Sequence, residues 1–264
     1  MSTAINYSHV DLADGNELYI IDIEDIDKEL AKILDSLFVK ICEGNSGSTL
    51  DIVKQRLVNT LTPKKGTDIE KGAIAEFFIH IFLNEIGCEP QCLYFNLEEN
   101  SIKKGFDGYY LFKGEQWIME SKSGHIDTVN LSHKGKIKEA YSDLKKKLLA
   151  DVSVKNDPWM NAYRHASQID VGANATVRKD IKALADLFVS NRAFFATKPL
   201  TDYNIIPSST IFLKGAWEIQ DKAKIETDIR AIIQDFKYKS IKVVCLTKKS
   251  IDVFWNYLNT TTSP

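Results

Sequence analysis

Hydrophobic and polar positions recur along this chain with two periods. From Ile26 to Ile41 the apolar residues Ile26, Leu30, Ile33, Leu34, Leu37, Phe38 and Ile41 return every third or fourth position, which predicts an amphipathic helix. Gly44-Asn45-Ser46-Gly47 stops it. Ser48 or Thr49 caps a second helix running to about Leu61, which Pro63 ends. Thr67 or Asp68 opens a third, in which Ile69, Ala73, Glu76, Phe77 and His80 form one band. Ile74, Phe78, Ile81 and Phe82 fill most of the rest, so this helix is buried all round. Ile137, Ala140, Tyr141, Leu144 and Leu148 stripe another helix. Two helical patterns lie between Asp157 and Val189, one spans Ile225–Phe236, and Ile251, Phe254, Trp255 and Leu258 close the chain before a polar tail. Short apolar runs predict strands at Glu17–Ile23, Gln91–Leu97 (with Glu98-Glu99-Asn100 as a polar exit), Ala193–Ala196, Ser209–Leu213 and Ile241–Leu246. Their alternation with helices in the second half predicts parallel strands extending or flanking a core sheet. No repeat and no low-complexity linker interrupts the pattern, which favours one integrated domain with an N-terminal helical extension.

The stretch Lys104–Gly124 carries the candidate chemistry. Phe106–Phe112, a Lys113-Gly114-Glu115 turn and a second run from Gln116 predict a β-hairpin. Side chains alternate along a strand, so Gln116, Ile118, Glu120 and Lys122 share one face, with Trp117, Met119 and Ser121 on the other. Asp107 projects near Glu120 and Lys122 from the adjacent strand. Two carboxylates on neighbouring strands make an oxygen cradle for Mg²⁺, which takes one or two protein carboxylates plus waters and phosphate oxygens. The lysine beside them orients a water or stabilises charge building on a phosphate. Gly105 and Gly108 bracket Asp107, consistent with a bulge or a close backbone approach. A (D/E)-x-K triplet alone is weak evidence: Asp143-x-Lys145, Asp180-x-Lys182 and Asp235-x-Lys237 also occur, but in segments patterned as helices or polar linkers, where i and i+2 do not share a face. Only Glu120-Ser121-Lys122 closes a hydrophobic strand with an aspartate on the strand before it. The competing explanation is an edge-strand salt bridge.

Glu76 stands in a mostly apolar helix, where a charge needs a partner or a metal. The plainer alternative is a glutamate at the helix edge reaching water or a lysine. His80, one turn on, reads as a packed or surface histidine. Lys134, Lys136, Lys138, Lys145, Lys146 and Lys147 lie opposite the apolar stripe of the Ile137–Leu148 helix, either as a solvated face or as a track for a phosphate backbone. Arg164, Gln168 and Arg178, around Gly172, are available to contact a nucleic acid or a partner, with no pattern to decide it.

Composition narrows the rest. Of 264 residues 44% are hydrophobic, enough for a substantial core, and the net charge of −2 leaves any nucleic acid to a local basic patch. Four cysteines are too few for a disulfide framework, and Cys88-x₃-Cys92 lacks a second Cys/His pair, so buried thiols are expected rather than zinc. The first residues resemble no signal or transit peptide and no apolar run approaches the ~20 residues of a membrane span, which predicts a cytoplasmic protein. There is no phosphate-cradling G-x₄-G-K-[ST] loop and no serine on a strand-to-helix elbow, which argues against a non-nuclease α/β enzyme.

Asp107, Glu120 and Lys122 resemble the D…(D/E)-x-K signature of the restriction-endonuclease-like, or PD-(D/E)xK, nuclease superfamily. The helix around Gly72-Ala73-Ile74-Ala75-Glu76 resembles that fold's first core helix, whose glutamate often joins the metal site. The likeness covers about Asp68 to Ala150, roughly a third of the chain, and departs from the pattern at Phe106, where proline often stands. Within the superfamily the helix, Gly105-Phe106-Asp107-Gly108 and Glu120-Ser121-Lys122 layout is similar to the HamA-like nuclease subunit of the Hachiman antiphage defence system. The resemblance implies an α/β fold, a restriction-endonuclease-like mixed sheet flanked by helices, with residues 1–65 as an N-terminal strand and helical extension and 66–264 as the nuclease domain. It implies a Mg²⁺-dependent deoxyribonuclease, with Mn²⁺ as an alternative ion, in which Asp107, Glu120 and Glu76 hold metal and Lys122 assists. It further implies a helicase or other ATP-driven partner that restrains the enzyme, for which Ile26–Leu61 is an available docking surface. The rival function is a catalytically silent nucleic-acid-binding or partner-docking module of the same fold.

Overall fold

Strict alternation along the hairpin's second strand splits the molecule into two apolar layers. The computed structural model describes residues 5–95, 105–169, 176–214 and 216–260, without the side chains of 165, 167–169 and 176–179. β1 (Tyr7–Asp11) and β2 (Glu17–Ile23) form a hairpin, followed by α1 (Lys28–Glu43), α2 (Leu50–Leu61) and α3 (Asp68–Glu85). β3 (Glu89–Pro90), β4 (Gly108–Phe112) and β5 (Glu115–His125) come next, then α4 (His133–Leu148), α5 (Pro158–Ile169), α6 (Thr176–Ser190) and α7 (Arg192–Thr197). β6 (Asn204–Phe212), α8 (Lys222–Ile233), β7 (Ser240–Lys248) and α9 (Asp252–Asn259) complete the chain. The strands build one seven-stranded mixed sheet in the order β1-β2-β7-β6-β5-β4-β3. β2, β7, β6 and β5 run parallel, while β1 and β4 are antiparallel to their neighbours.

Trp117 and Met119 of β5 join a core with α1, α2, α3 and α9; Ile118 joins a second core with α4 through α8. Helices therefore cover both faces of the sheet, as buried parallel strands require. α3 is the most deeply sunk helix, buried from Ala73 to Leu83, and its Glu76 and His80 are carried inside with it. The first 65 residues belong to the same sheet and core: β2 pairs with β7 from Glu17↔Lys242 to Ile23↔Lys248, and α1 and α2 pack with α3 and α9.

Local signals account for most boundaries. Asp27 caps α1 by accepting from the Leu30 N–H at 2.8 Å, and Gly44 ends it at φ 63°, a left-handed conformation that favours glycine. Thr67 caps α3. Three expectations fail. The hairpin loop is two residues, Lys113-Gly114 at φ 52° and 77°, and Glu115 already pairs with Phe112, because a tight turn with both φ positive matches strand twist. The strand expected at Gln91–Leu97 is absent from its described part: only Glu89–Pro90 pairs, and Tyr94 and Phe95 are instead tied by backbone bonds to Ile41 and Cys42 of α1. Leu97 and Glu98-Glu99-Asn100 lie outside the described residues. Ala193–Ala196 is the middle of helix α7, where Phe195 fills a core corner against Trp159 and Phe188, so packing overrides the β preference of an aromatic pair. All four cysteines are buried and not disulfide-bonded. No helix among the described residues is long and apolar enough to cross a membrane.

Candidate active site

β5 outruns β4, and the candidate residues gather at that step. The pairing Gly108↔Met119, carried one residue further, sets Asp107 opposite Glu120. Asp107 Oδ2 accepts from the Ser121 N–H at 2.8 Å, which fixes the carboxylate against the strand. Its flanking glycines are required by close approach. A side chain at Gly105 would collide with the Pro158 backbone, and one at Gly108 would meet the Tyr110 ring at 2.6 Å. His80 holds the same corner from α3. A carbonyl can only accept, so its Nε2–H donates to the Asp107 carbonyl at 3.1 Å, and Nδ1 accepts from the Tyr110 hydroxyl at 2.5 Å. Glu76 Oε1 lies 3.4 Å from the same Nε2. The histidine expected to be mere packing thus ties Glu76, Asp107 and Tyr110 together.

On the opposite side, α4 lays charged residues against Glu120. Glu120 is 2% exposed, and both its oxygens are taken: Oε1 by Lys122 Nζ at 3.0 Å, Oε2 by Lys147 Nζ at 2.5 Å. Lys122 also pairs with Asp143 at 2.8 Å. The arrangement is an alternating row, Lys147–Glu120–Lys122–Asp143, half sunk between β5 and α4. Burial, and then the neighbouring Asp107 charge, push the Glu120 carboxyl up to about 7 against the pull of Lys147 and Lys122. Asp107 is raised by burial and by Glu76, opposed by Lys147, the Ser121 N–H and Lys122. Burial opposes the charge on Lys122, but Glu120 and Asp143 outweigh it and hold the ammonium above its ordinary range. Asp107 thus feels the charge of Glu76 on one side and acts on Glu120 on the other. Among the described residues no three His, Cys, Asp or Glu side chains gather as a metal-holding group, and lysines and a backbone N–H meet the Glu120 and Asp107 carboxylates.

The HamA family model matches residues 9–258. The chain belongs to the HamA family. No curated protein and no solved structure matches it. The match spans every strand from the middle of β1 to β7, so it covers the whole sheet and not the hairpin alone.

Within this HamA-family chain the basic helix divides into different roles. Lys134 pairs with Asp228 and Lys136 with Glu139, Lys138 and Lys145 face solvent, and Lys146 is exposed beside Asp143. Lys147 points inward to Glu120, so it departs from the outer track expected of it. Asp143 has its partner in Lys122 of β5 and not in Lys145, since i and i+2 do not share a helical face. Sequence reasoning misses this role. The signal that could have found it is the i,i+4 spacing of Asp143 and Lys147, which puts both beside the apolar stripe. Arg164 is exposed on α5; Gly172 and the side chains of Gln168 and Arg178 lie outside the described residues.

Proposed function

We propose that this protein is a metal-dependent nuclease of the PD-(D/E)xK type, cleaving phosphodiester bonds in DNA as the effector of a Hachiman antiphage defence complex. The observation that carries the reading is the Asp107 carboxylate bound to the Ser121 N–H, next along β5 from Glu120, with Lys122 bonded to Glu120. Although no three ligands gather, Asp107 and Glu120 are two hard oxygen donors, as many as Mg²⁺ takes from a protein alongside waters and phosphate oxygens. Two carboxylates crowded in a buried corner are each driven toward protonation, a tension that Mg²⁺ or Mn²⁺ relieves. Asp107 and Glu120 would hold the ion, with Glu76 a further ligand directly or through water. When bound, the metal supplies an acidified water and neutralises phosphate charge. Lys122, held by Glu120 and Asp143, positions the attacking water or meets charge on the phosphate. His80 and Tyr110 keep the Asp107 backbone in place.

HamA membership supports a defence role, in which a helicase partner restrains the nuclease until aberrant DNA arrives. The alternating Lys–carboxylate row also supports a second reading, a silent binding or docking module, since its charges already neutralise one another. Incubation of linear, circular and single-stranded DNA, and of RNA, with Mg²⁺, Mn²⁺ or chelator decides between them. Metal-dependent cleavage that disappears in Glu120→Ala is the expected result. Binding without cleavage under every metal condition, with or without the partner, selects the silent module.

A further inference from the structure

Lys147 has two surroundings. Its ammonium bonds Glu120 Oε2 at 2.5 Å and draws on Asp107 as well. The same side chain lines a cleft of about 450 Å³ between the C-terminal half of α4 and the loop leading into α5. Lys146, Lys155, Asn156, Asn161 and Gly105 also line that cleft, together with one carboxylate, Asp143, which Lys122 and Lys146 already pair. Three lysines and two amides around one opening beside a carboxylate pair make a surface suited to phosphate oxygens and sugar hydroxyls. Lys155, Asn156 and Asn161 come from the segment after α4, which the apolar stripe of that helix did not mark.

We propose that Lys147 is a resident cation that occupies Glu120 while the site is empty and swings into the adjoining cleft when a nucleic-acid phosphate arrives there. Lys147 thereby makes divalent-metal binding and backbone binding mutually reinforcing. This inference rests on the metal-dependent reading of Asp107 and Glu120. An ammonium at 2.5 Å from a ligand oxygen and a divalent ion on that same carboxylate repel each other strongly in a partly buried site. Something must therefore draw Lys147 off; Asp143 on the same cleft is already paired with Lys122 and Lys146, so the anion that remains to do it is a phosphate entering beside Lys146 and Lys155. The 22% exposure of the side chain and its position on the cleft wall give it somewhere to go without unfolding α4.

The test is calorimetric titration of Mn²⁺ into the full chain without nucleic acid, alongside anisotropy of a labelled oligonucleotide in chelator. Lys147→Gln is expected to bind Mn²⁺ about tenfold or more tightly than the wild type, since a repelling charge has gone. It is also expected to bind the oligonucleotide several-fold more weakly. Lys147→Met keeps the aliphatic stem and is read in its place if the glutamine variant does not fold. Lys155→Gln should weaken oligonucleotide binding alone, leaving Mn²⁺ affinity unchanged. Mn²⁺ binding by Lys147→Gln and Lys147→Met that is no tighter than wild type overturns the inference while the nuclease reading stands. Mn²⁺ binding that survives both Asp107→Asn and Glu120→Gln overturns the nuclease reading itself.

Discussion

Glu120 is where the residue-scale argument is most exposed to test. A glutamate 2% exposed and clasped by two lysines is costly to bury, and the surrounding fold commits Ser121, Lys122, Lys147 and Asp143 to the pair it makes with Asp107. Such a cluster of charges buried midway along a strand, between two apolar cores, is expected of chemistry rather than stability. Glu120→Ala and Lys122→Ala should each reduce cleavage by about 10²–10⁴, the usual consequence of removing a metal ligand or a transition-state charge partner. Circular dichroism should show both variants folded, because neither side chain fills a core cavity. A folded double variant that cuts DNA at the wild-type rate would sink the catalytic assignment.

At the scale of elements, α4 does three jobs with one face each. Ile137, Ala140, Leu144 and Leu148 seat it on the sheet, Asp143 and Lys147 serve the site, and Lys138, Lys145 and Lys146 face water. If the outer lysines follow a DNA backbone, Lys145→Gln combined with Lys146→Gln should flatten the salt dependence of duplex binding. The slope should fall by up to about 0.9 for each phosphate that is no longer neutralised. An unchanged slope makes them a solvated face. The helix is anchored at its other end by His133, whose Nδ1 and Nε2 meet Ser209 Oγ at 2.6 Å and Thr247 Oγ1 at 3.1 Å under β6 and β7. Burial lowers this imidazole to about 3. The unfolded chain takes up the proton near 6.5 and the folded one does not, so stability is full above about 6.5 and falls as pH drops toward 3. At its steepest the loss is about 1.4 kcal/mol per pH unit. Denaturant melts of wild type and His133→Gln between pH 4 and 7 should show the weaker pH dependence in the variant; parallel curves would assign the acid sensitivity elsewhere.

On the scale of the whole molecule, net charge is the quantity that matters. At −2 the protein has no overall field to bring it to nucleic acid at physiological salt. Its cations are local, and several are taken up in ion pairs with Asp228, Glu139, Asp143 and Glu120. Under the proposed function, delivery by a DNA-tracking partner would supply what the charge does not, in keeping with a defence system built from more than one protein. Purification from the native host should therefore recover a helicase or other ATPase with this chain, and cleavage should depend on its presence. A lone chain that cuts at full rate would reject the partner's control. α1 and α2, which the sequence offers for such docking, bury their apolar faces against α3 and α9, so their outer, mainly polar faces, with Ile52 exposed on α2, remain for a partner.

Much of this protein is determined by its sequence alone. Period and capping set α1, α3, α8, β2 and β7, and the alternation along β5 separates Glu120 and Lys122 from Trp117 and Met119 before any fold is known. The Asp107, Glu120 and Lys122 triplet could be found because its charges follow apolar strand residues, where charge is anomalous, although β5 does not end there as expected but runs on to His125 beside β6. Tertiary structure decided the rest, for reasons of distance along the chain. Asp143 and Lys147 lie more than twenty residues beyond Lys122 and Glu120 in sequence and join them only when α4 folds back over β5. His80 takes its role from Asp107 and Tyr110, twenty-seven and thirty residues on. The β preference of Phe194 and Phe195 gave way to a helix because Trp159 and Phe188 offered the ring a core only in that conformation. Local pattern reports what a residue prefers; which charges neutralise which, and which aromatic finds which, depends on contacts that form only when distant segments of the chain pack together.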